Sequence, residues 1–233
     1  MSFHETPAVA VVVAAGSGSR LGAAVPKALV DLEGVPLVRR AVDALAAGGV
    51  TEVVVTIPDG HREAFAAALT GVEIPLQLVV GGDTRQESVR LGLAALAAPD
   101  DAVVLVHDAA RCLVPAAVVR AAADAIRDGA AAAVPVVPVV DSIRRVDGDT
   151  NTIVDRAALR AVQTPQSARL GTLRAAHERV RADGVEVTDD ASVCEYAGCA
   201  VALVPGHADA LKITTPVDLI LARAILHERK EPR

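Results

Sequence analysis

Aromatic residues are almost absent from this sequence. The 233 residues include no Trp, one Tyr and two Phe, although 52% of the residues are hydrophobic. The core must therefore be built from Ala, Val, Leu and Ile. A chain of this length can form one sizeable α/β domain with a full core. Because we find no internal repeat and no linker, we predict a single domain over 1–233.

Cysteine is also scarce. Cys112, Cys194 and Cys199 make an odd number, and no Cys-x-x-Cys pair occurs. This usage argues against a disulfide framework and against a zinc site. We expect buried or idle thiols in a reducing compartment, and we assign no metal-ligating residues.

Long apolar runs and an excess of basic residues are missing as well. The longest apolar run, around 130–140, is interrupted by Pro135 and Pro138 and falls short of a membrane span. The N-terminal residues lack the basic-then-apolar order of a signal peptide. The net charge of −6 argues against a polynucleotide partner. We therefore expect a cytoplasmic protein with no membrane or nucleic-acid partner, whose local cations bind small anions.

A glycine-rich segment follows the first predicted strand. The uncharged run 8–15 has the β-branched content and the length of a strand buried on both faces of a parallel sheet. It leads into Gly16-Ser17-Gly18-Ser19-Arg20. Two glycines one residue apart allow successive amides to converge on an anion beyond the end of the strand. The segment therefore predicts a phosphate-binding loop.

Two cations, Arg20 and Lys27, belong to the same segment, and Pro26 restricts the backbone before Lys27. The pattern is not a Walker loop, because Lys27 is not followed by Ser or Thr, and it lacks the third glycine of a dinucleotide fingerprint. A glycine-rich turn with two solvated cations is the structural alternative. The full string Ala-Ala-Gly-x-Gly-x-Arg followed by Pro-Lys is more specific, and it resembles the signature of nucleotidyltransferases that activate sugar and polyol phosphates.

Strand and helix patterns alternate along most of the chain. Further strands are predicted over 53–55, 76–80, 102–106 and 200–204, and helices over 36–47, 61–69, from 84, over 168–182, from 188 and from 215. The alternation predicts an α/β fold with a doubly wound, mostly parallel sheet. Asp189 and Asp190 stand where a helix begins, so at least one of them is expected to be a cap.

Three predicted strands end in polar residues. These ends are 16–27, 82–88 and 108–111. Ligands of doubly wound sheets bind beyond the carboxyl ends of the strands, so all three should face one crevice.

The region 134–156 departs from the alternation. Two β-branched segments, 139–146 and 151–154, flank the turn-rich tetrad Asp147-Gly148-Asp149-Thr150, which predicts a hairpin. It could be an ordinary edge hairpin. Its valine-rich composition with two prolines would also suit an arm that packs on a second subunit, and we predict such a dimerisation arm over 134–156.

Taken together, these residues resemble the 2-C-methyl-D-erythritol 4-phosphate cytidylyltransferase family of the non-mevalonate isoprenoid pathway, over nearly the whole chain. The motifs that carry the resemblance are 14–20, 26–27, 82–83 with 87–89, 107–111, 155–156, 163–166, 188–192 and 212–214. The resemblance implies a Rossmann-like nucleotidyltransferase that transfers CMP from CTP to a polyol phosphate. It also implies Mg²⁺ bound mainly through the CTP phosphates, and a homodimer.

The resemblance also implies roles for individual residues. Those expected to act on the reacting phosphates are Arg20, Lys27 and Lys212. Those expected to hold the nucleotide are Ala14, Ala15, Gly16, Gly18, Gly82, Asp83 and Ser88. Those expected to bind the polyol phosphate are Asp108, Arg111, Ser142, Arg156, Thr164 and Thr188, with Ser142 and Arg156 supplied by the partner's arm. Two alternatives stay open: a cytidylyltransferase for another polyol phosphate, such as ribitol 5-phosphate, and a non-catalytic nucleotide-binding protein.

Overall fold

The computed structural model describes residues 6–16 and 25–230. In chain order its strands are β1 (Ala8–Val13), β2 (Asp31–Leu32), β3 (Val35–Pro36), β4 (Val50–Ile57), β5 (Leu76–Val80), β6 (Val103–Asp108), β7 (Ala132–Pro138), β8 (Ile143–Asp147), β9 (Thr150–Val154), β10 (Arg160–Val162), β11 (Gln166–Arg169) and β12 (Val201–Pro205). Its helices are α1 (Leu37–Ala47), α2 (Arg62–Ala68), α3 (Arg85–Ala95), α4 (Ala116–Arg127), α5 (Leu170–Ala182), α6 (Asp190–Tyr196) and α7 (Pro216–Lys230).

One sheet of eight strands forms the centre of the described chain. From one edge the order is β5, β4, β1, β6, β11, β7 and β12, and β10 pairs with β7 beyond the end of β11. Strands β5, β4, β1 and β6 are parallel, whereas β10 and β11 run antiparallel to their neighbours. The predicted doubly wound, mostly parallel sheet is therefore confirmed.

The alternation of small and branched residues along β1 explains how the sheet is covered on both faces. Ala8, Ala10 and Val12 point into the apolar cluster that contains residues of α1, α2 and α4. Val9 and Val11 point into the opposite cluster, which contains residues of α3, α5 and α6. Since successive side chains of a strand face opposite sides, a run without polar residues is needed where both faces are buried.

A third apolar cluster lies beside the sheet and holds the last helix. It joins Leu32 and Leu37 to Ile213, Ala222 and Leu226. This packing fixes the segment before α7, which carries Lys212, against the end of β6: the amide of Ile213 donates a hydrogen bond to the carbonyl of Ala110 at 2.8 Å. No helix in the described part of the chain is both long and apolar enough to cross a membrane.

The predicted hairpin is present, but the arm is shorter than predicted. Residues 134–138 belong to β7 in the central sheet, so only the chain beyond them can protrude. The hairpin consists of β8 and β9, joined by Gly148 and Asp149. Gly148 has a φ of +54°, which suits the first central position of the two-residue turns that match strand twist.

Five strands were not predicted from the sequence: β2, β3, β7, β10 and β11. The helix predicted over 168–182 begins at Leu170, because Gln166–Arg169 forms β11 between β6 and β7. Four residues without alternation carry little strand signal, and their pairing partners are distant in the sequence. The Thr164–Pro165 peptide bond that precedes this strand is cis.

Candidate active site

Two adjoining cavities lie beyond the carboxyl ends of β1, β5 and β6, where the polar strand ends were predicted to converge. We call them the glycine-loop cavity and the polar cavity. The glycine-loop cavity measures about 200 Å³, and its described lining residues are Val13, Ala14, Ala15, Gly16, Lys27, Ala28, Gly82, Asp83, Thr84, Arg85, Ser88, Asp108, Ala109, Ala110 and Lys212. The polar cavity measures about 220 Å³ and is lined by Arg85, Asp108, Arg111, Val162, Gln163, Thr164, Gln166, Thr188, Asp189 and Lys212.

The glycine-loop cavity contains every predicted nucleotide-binding residue that the structure describes. These are Ala14, Ala15, Gly16, Gly82, Asp83 and Ser88. Lys27, predicted to act on the phosphates, lines the same cavity. Gly18 and Arg20 lie outside the described residues.

Close packing between two loops gives this cavity its shape. A Cβ atom at Gly81 would lie 2.7 Å from the Cβ of Ala15 and 2.7 Å from the Oγ of Ser88, so only glycine fits. The buried Ser88 hydroxyl accepts a hydrogen bond from the amide of Gly82 at 3.1 Å and donates to the carbonyl of Thr84 at 2.9 Å. Ser88 therefore fixes the loop that forms the cavity wall.

The start of α3 carries this loop. The Thr84 hydroxyl oxygen accepts a hydrogen bond from the amide of Glu87 at 3.0 Å, so Thr84 is the N-cap of the helix predicted from residue 84. On the other side of the cavity, Lys27 opens a single 3₁₀ turn that ends at Leu29. The amide of Leu29 donates to the carbonyl of Pro26 at 2.8 Å, so the proline and the turn together fix the backbone of Lys27.

Asp108 is the centre of the wall that the two cavities share. Its Oδ2 lies 2.7 Å from the Nζ of Lys212, and its Oδ1 lies 3.3 Å from the Nε of Arg85. Burial acts to raise the pKa of this carboxyl group, but the charges of Arg85 and Lys212 outweigh it and hold the pKa well below its usual range. Asp108 is therefore ionised near neutral pH, with both oxygens committed to cations.

His107 lies behind the polar cavity and is hydrogen-bonded to two of the predicted substrate-binding residues, Arg111 and Thr164. It is fully buried, and its Nε2 lies 3.3 Å from the carbonyl oxygen of Arg111, so Nε2 carries the proton. Its Nδ1 then accepts from the Thr164 hydroxyl at 3.0 Å, and that hydroxyl accepts from the amide of Asp108 at 3.1 Å. Burial lowers the pKa of His107 to about 4, so the ring is neutral.

The remaining predicted substrate-binding residues divide into two groups. Arg111 and Thr188 line the polar cavity together with Asp108, Thr164 and Lys212. The guanidinium group of Arg111 donates to the carbonyls of Ala210 at 2.8 Å and Val162 at 3.2 Å, which holds it at the cavity edge.

Ser142 and Arg156 lie on the hairpin arm, are exposed, and are not among the residues that line either cavity. The guanidinium group of Arg156 donates to the carbonyl of Val140 within the same arm. The structure of a single chain therefore separates these two residues from the other predicted substrate-binding residues.

Two residues of the site were not predicted from the sequence: Arg85, which lines both cavities, and Asp190, which is buried behind it. Arg85 follows the capping residue of α3 and reads there as an ordinary first-turn residue. Asp189 is the N-cap of α6, with its Oδ1 accepting from the amide of Ser192 at 2.9 Å, so one of the two predicted caps is confirmed. Asp190 instead pairs with Arg85 and His177. A buried role for one of two adjacent aspartates has no local sequence signal.

Comparison with known proteins identifies the family. Residues 8–228 match the family model described as 2-C-methyl-D-erythritol 4-phosphate cytidylyltransferase. The chain belongs to this family. A relative of that name from Streptomyces coelicolor is 48% identical over 95% of this chain and 85% of its own, and one from Saccharopolyspora erythraea is 49% identical over 94% of this chain and 98% of its own. The crystal structure of the Thermus thermophilus protein of that name has a TM-score of 0.78 and 36% identity, covering 94% of this chain and 98% of that one.

Family membership makes this chain a cytidylyltransferase that acts in isoprenoid synthesis, as the sequence motifs predict. The resemblance stated from the motifs is thereby confirmed. Membership also decides between the alternatives, because it favours 2-C-methyl-D-erythritol 4-phosphate over ribitol 5-phosphate as acceptor and an enzyme over a non-catalytic nucleotide-binding protein.

Proposed function

We propose that the two cavities divide the transfer of CMP from CTP to 2-C-methyl-D-erythritol 4-phosphate between them. The glycine-loop cavity holds CTP, and the polar cavity holds the polyol phosphate. The observation that carries this proposal is the shared wall, because Arg85, Asp108 and Lys212 line both cavities. Two substrates bound on the two sides of this wall would bring their phosphates together next to Lys212.

The small lining residues of the glycine-loop cavity support its assignment to cytidine. Ala14, Ala15 and the loop at Gly82 leave a narrow space, and the contact of Gly81 with Ala15 and Ser88 fixes its width. Backbone groups at such a close approach can pair with the polar edge of a base. A pyrimidine fits this space better than a purine, so CTP should be preferred over ATP and GTP.

The chemistry of the transfer requires positioning and charge neutralisation. A phosphate oxygen of the acceptor attacks the α-phosphorus of CTP, the bond from that phosphorus to the β-phosphate bridging oxygen breaks, and pyrophosphate leaves. Lys27 and Lys212 line the cavity where negative charge accumulates, and we assign Arg20 to the same task. A general base is unnecessary, because the second pKa of a phosphate monoester is about 6. The nearby His107 uses both ring nitrogens within the protein.

Mg²⁺ fits this site as a partner of the nucleotide phosphates. In the described residues no group of three His, Cys, Asp or Glu side chains could hold a metal ion. Of the carboxylates in the glycine-loop cavity, Asp108 is committed to two cations, which leaves Asp83 as the candidate protein ligand. Mg²⁺ commonly keeps several waters and is held by one or two protein carboxylates together with the substrate phosphates. When bound, it would neutralise the triphosphate and the leaving pyrophosphate. Chelation should therefore abolish activity, and added Mg²⁺ should restore it.

We further propose that the enzyme is a homodimer in which the hairpin arm serves the partner's polar cavity. Val146 and Ile153 of this arm are 72% and 64% exposed, and a two-stranded hairpin alone is at best marginally stable in water. Packing against a second copy would cover these residues and bring Ser142 and Arg156 to the other subunit's polar cavity. The cytoplasmic location and the lack of nucleic-acid and membrane partners stay predictions from the sequence.

Pyrophosphate release from a small panel of substrates tests the function and both cavity assignments. The purified enzyme with Mg²⁺ would be offered CTP, ATP or GTP, each with 2-C-methyl-D-erythritol 4-phosphate, ribitol 5-phosphate or no acceptor. We expect rapid release only for CTP with 2-C-methyl-D-erythritol 4-phosphate. Comparable turnover with a purine nucleotide would contradict the assignment of the glycine-loop cavity. Equal use of ribitol 5-phosphate would contradict the acceptor.

Subunit mixing tests the arm. Lys27→Ala and Arg156→Ala subunits, each nearly inactive alone, are unfolded and refolded together. In a mixed dimer one site carries both substitutions and the other carries neither. Random exchange makes half of the dimers mixed, so the mixture should regain about a quarter of the wild-type rate. Each variant refolded alone is the control. No recovery despite confirmed subunit exchange would show that Arg156 does not act in the partner's site.

A further inference from the structure

A continuous series of charged contacts runs from the shared cavity wall into the protein interior. The Nζ of Lys212 lies 2.7 Å from Asp108, whose other oxygen lies 3.3 Å from the Nε of Arg85. The Nη2 of Arg85 lies 2.8 Å from the Oδ2 of Asp190, and the Oδ1 of Asp190 lies 3.1 Å from the Nε2 of His177. The series thus connects a residue that lines both cavities to the buried face of α5.

Arg85 is the residue that joins the two halves of this series. Its guanidinium group contacts the carboxylates of Asp108 and Asp190 with two different nitrogens. The planar guanidinium group, which has three nitrogens, can make both contacts at once. The single nitrogen of a lysine cannot reach two separated carboxylates with the same geometry. Arg85 therefore sets the distance between Asp108 and Asp190.

Asp190 provides a fixed anchor for Arg85. Its side chain is 3% exposed, at the first position of α6, and the His177 side chain that it contacts is 1% exposed. α5 and α6 pack against one another and against β11, so both residues belong to the rigid core of that face. Asp190 does not line the glycine-loop cavity or the polar cavity, and Arg85 is the cavity-lining residue whose side chain it contacts.

We propose that Arg85, anchored by Asp190, is a positioning residue that holds the Asp108 carboxylate, and through it the Lys212 ammonium group, at the wall between the two cavities. This inference rests on the proposed function. Lys212 has a flexible side chain that is 41% exposed, and an ammonium group of this kind needs a fixed partner to stay aligned with a reacting phosphate. Asp108 can fix it only if the carboxylate is itself prevented from rotating, which is the effect of the contact with Arg85.

Stability alone is a poor explanation for this arrangement. A buried ion pair generally contributes little net stability, because desolvation offsets the attraction between the charges. The positioning explanation predicts effects on turnover that a purely structural pair would not produce.

The test compares three variants. Asp190→Asn keeps the shape of the anchor, removes its charge and leaves every cavity-lining residue intact. Arg85→Lys keeps the positive charge in the cavities but cannot contact Asp108 and Asp190 with two different nitrogens. Arg90→Gln is the matched control, because Arg90 lies on the same helix and also bridges to α5, with Nη1 3.1 Å from Glu178, without lining either cavity.

We expect kcat to fall about 10- to 100-fold for both Asp190→Asn and Arg85→Lys, since misplacement of a reacting group by about 1 Å can cost a factor of 10². The KM for CTP should change much less, and Arg90→Gln should match the wild type.

Several outcomes would overturn the proposal. A folded Asp190→Asn enzyme with kcat within about twofold of the wild type would do so, as would an Arg85→Lys enzyme with nearly full activity, which would indicate a direct phosphate contact. If thermal melting shows that neither Asp190→Asn nor Arg85→Lys folds, the pair of Arg85 and Asp190 has a purely structural role. An inactive wild type would instead contradict the proposed function. In that case a crystal structure of Asp190→Asn still decides the positioning, which requires the Asp108 carboxylate and the Lys212 ammonium group to be displaced from their wild-type positions.

Discussion

The two cavities are built in different ways. The glycine-loop cavity is formed by short consecutive segments, 14–16 and 82–88, and its walls are largely backbone and small side chains. The polar cavity is assembled from side chains far apart in the sequence, and several of them are bonded to one another: Asp108 to Arg85 and Lys212, and Gln166 to Asp189. A rigid backbone needs few supporting contacts, whereas a group of long charged side chains keeps its geometry only through mutual pairing.

Because the cavities are built differently, substitutions in them should affect activity and stability to different extents. Lys27 lines the glycine-loop cavity but not the polar cavity, so its substitution should change activity more than folding. A substitution among the bonded side chains of the polar cavity should change both the activity and the stability, since these side chains also satisfy buried neighbours. The following predictions test that difference.

The largest effect is expected at Lys27. Lys27→Ala should lower kcat by about 10² to 10³, which is the scale for removing one donor aimed at developing charge. The midpoint of thermal unfolding should stay close to that of the wild type. Steady-state kinetics and thermal melting check both parts, with Arg62→Ala, an exposed cation of α2, as the control. A near-normal kcat would contradict a role for Lys27 at the reacting phosphates.

The next effect is expected at Asp108. Asp108→Asn leaves Lys212 without its partner carboxylate and leaves Arg85 with Asp190 alone, and breaking a buried pair costs about 3–5 kcal/mol. Because Lys212 is partly exposed, we expect a loss of about 3 kcal/mol in the free energy of unfolding, together with a large loss of kcat. Urea unfolding measures the first quantity. Asp101→Asn, an exposed carboxylate just before the same strand, should change it by less than about 0.5 kcal/mol. Equal stability of the two variants would refute the distinction between the cavities.

The smallest effect concerns pH and His107. The pKa of His107 in the folded protein is about 4, below the ordinary value of 6.5, so the unfolded chain binds a proton first as the pH falls. Stability from this residue is complete above pH 6.5 and decreases toward pH 4. At pH 5.5 the loss should be about 1.4 kcal/mol relative to pH 7.5.

His107→Gln should lack this component, which appears as a smaller difference between urea unfolding at the two pH values. His61→Gln, at an exposed position, is the control and should behave like the wild type. A His107→Gln variant with the same pH dependence as the wild type would mean that the ring is not buried in its neutral form.

The glycine-loop cavity could be predicted from the sequence because its parts are local. Gly16 and Gly82 each follow a strand directly, and strand ends of a doubly wound sheet meet at one edge. The N-cap at Thr84 is likewise encoded by residues within one turn. By contrast, β11 was not predicted, because its four residues form a strand only where β6 and β7 lie on either side.

The charged network could not be predicted in the same way. The pairing of Arg85 with Asp190 joins residues more than 100 positions apart, and neither has a distinctive neighbour in the sequence. Thr164 and Lys212 were found through the family resemblance, but the sequence did not indicate that the Thr164 hydroxyl is used within the protein. Side-chain pairing of this kind is decided by the tertiary fold alone.

The shared wall has a consequence for inhibition by the products. On the proposed assignment, the CDP-linked polyol occupies both cavities at once, since it contains the cytidylyl group and the polyol phosphate. Pyrophosphate occupies only the phosphate end of the glycine-loop cavity. The CDP-linked product should therefore exclude CTP and the free polyol phosphate alike, whereas pyrophosphate should exclude CTP and leave the polar cavity open. Because Arg85, Asp108 and Lys212 line both cavities, this assignment predicts that the enzyme takes up new acceptor after its organic product has left.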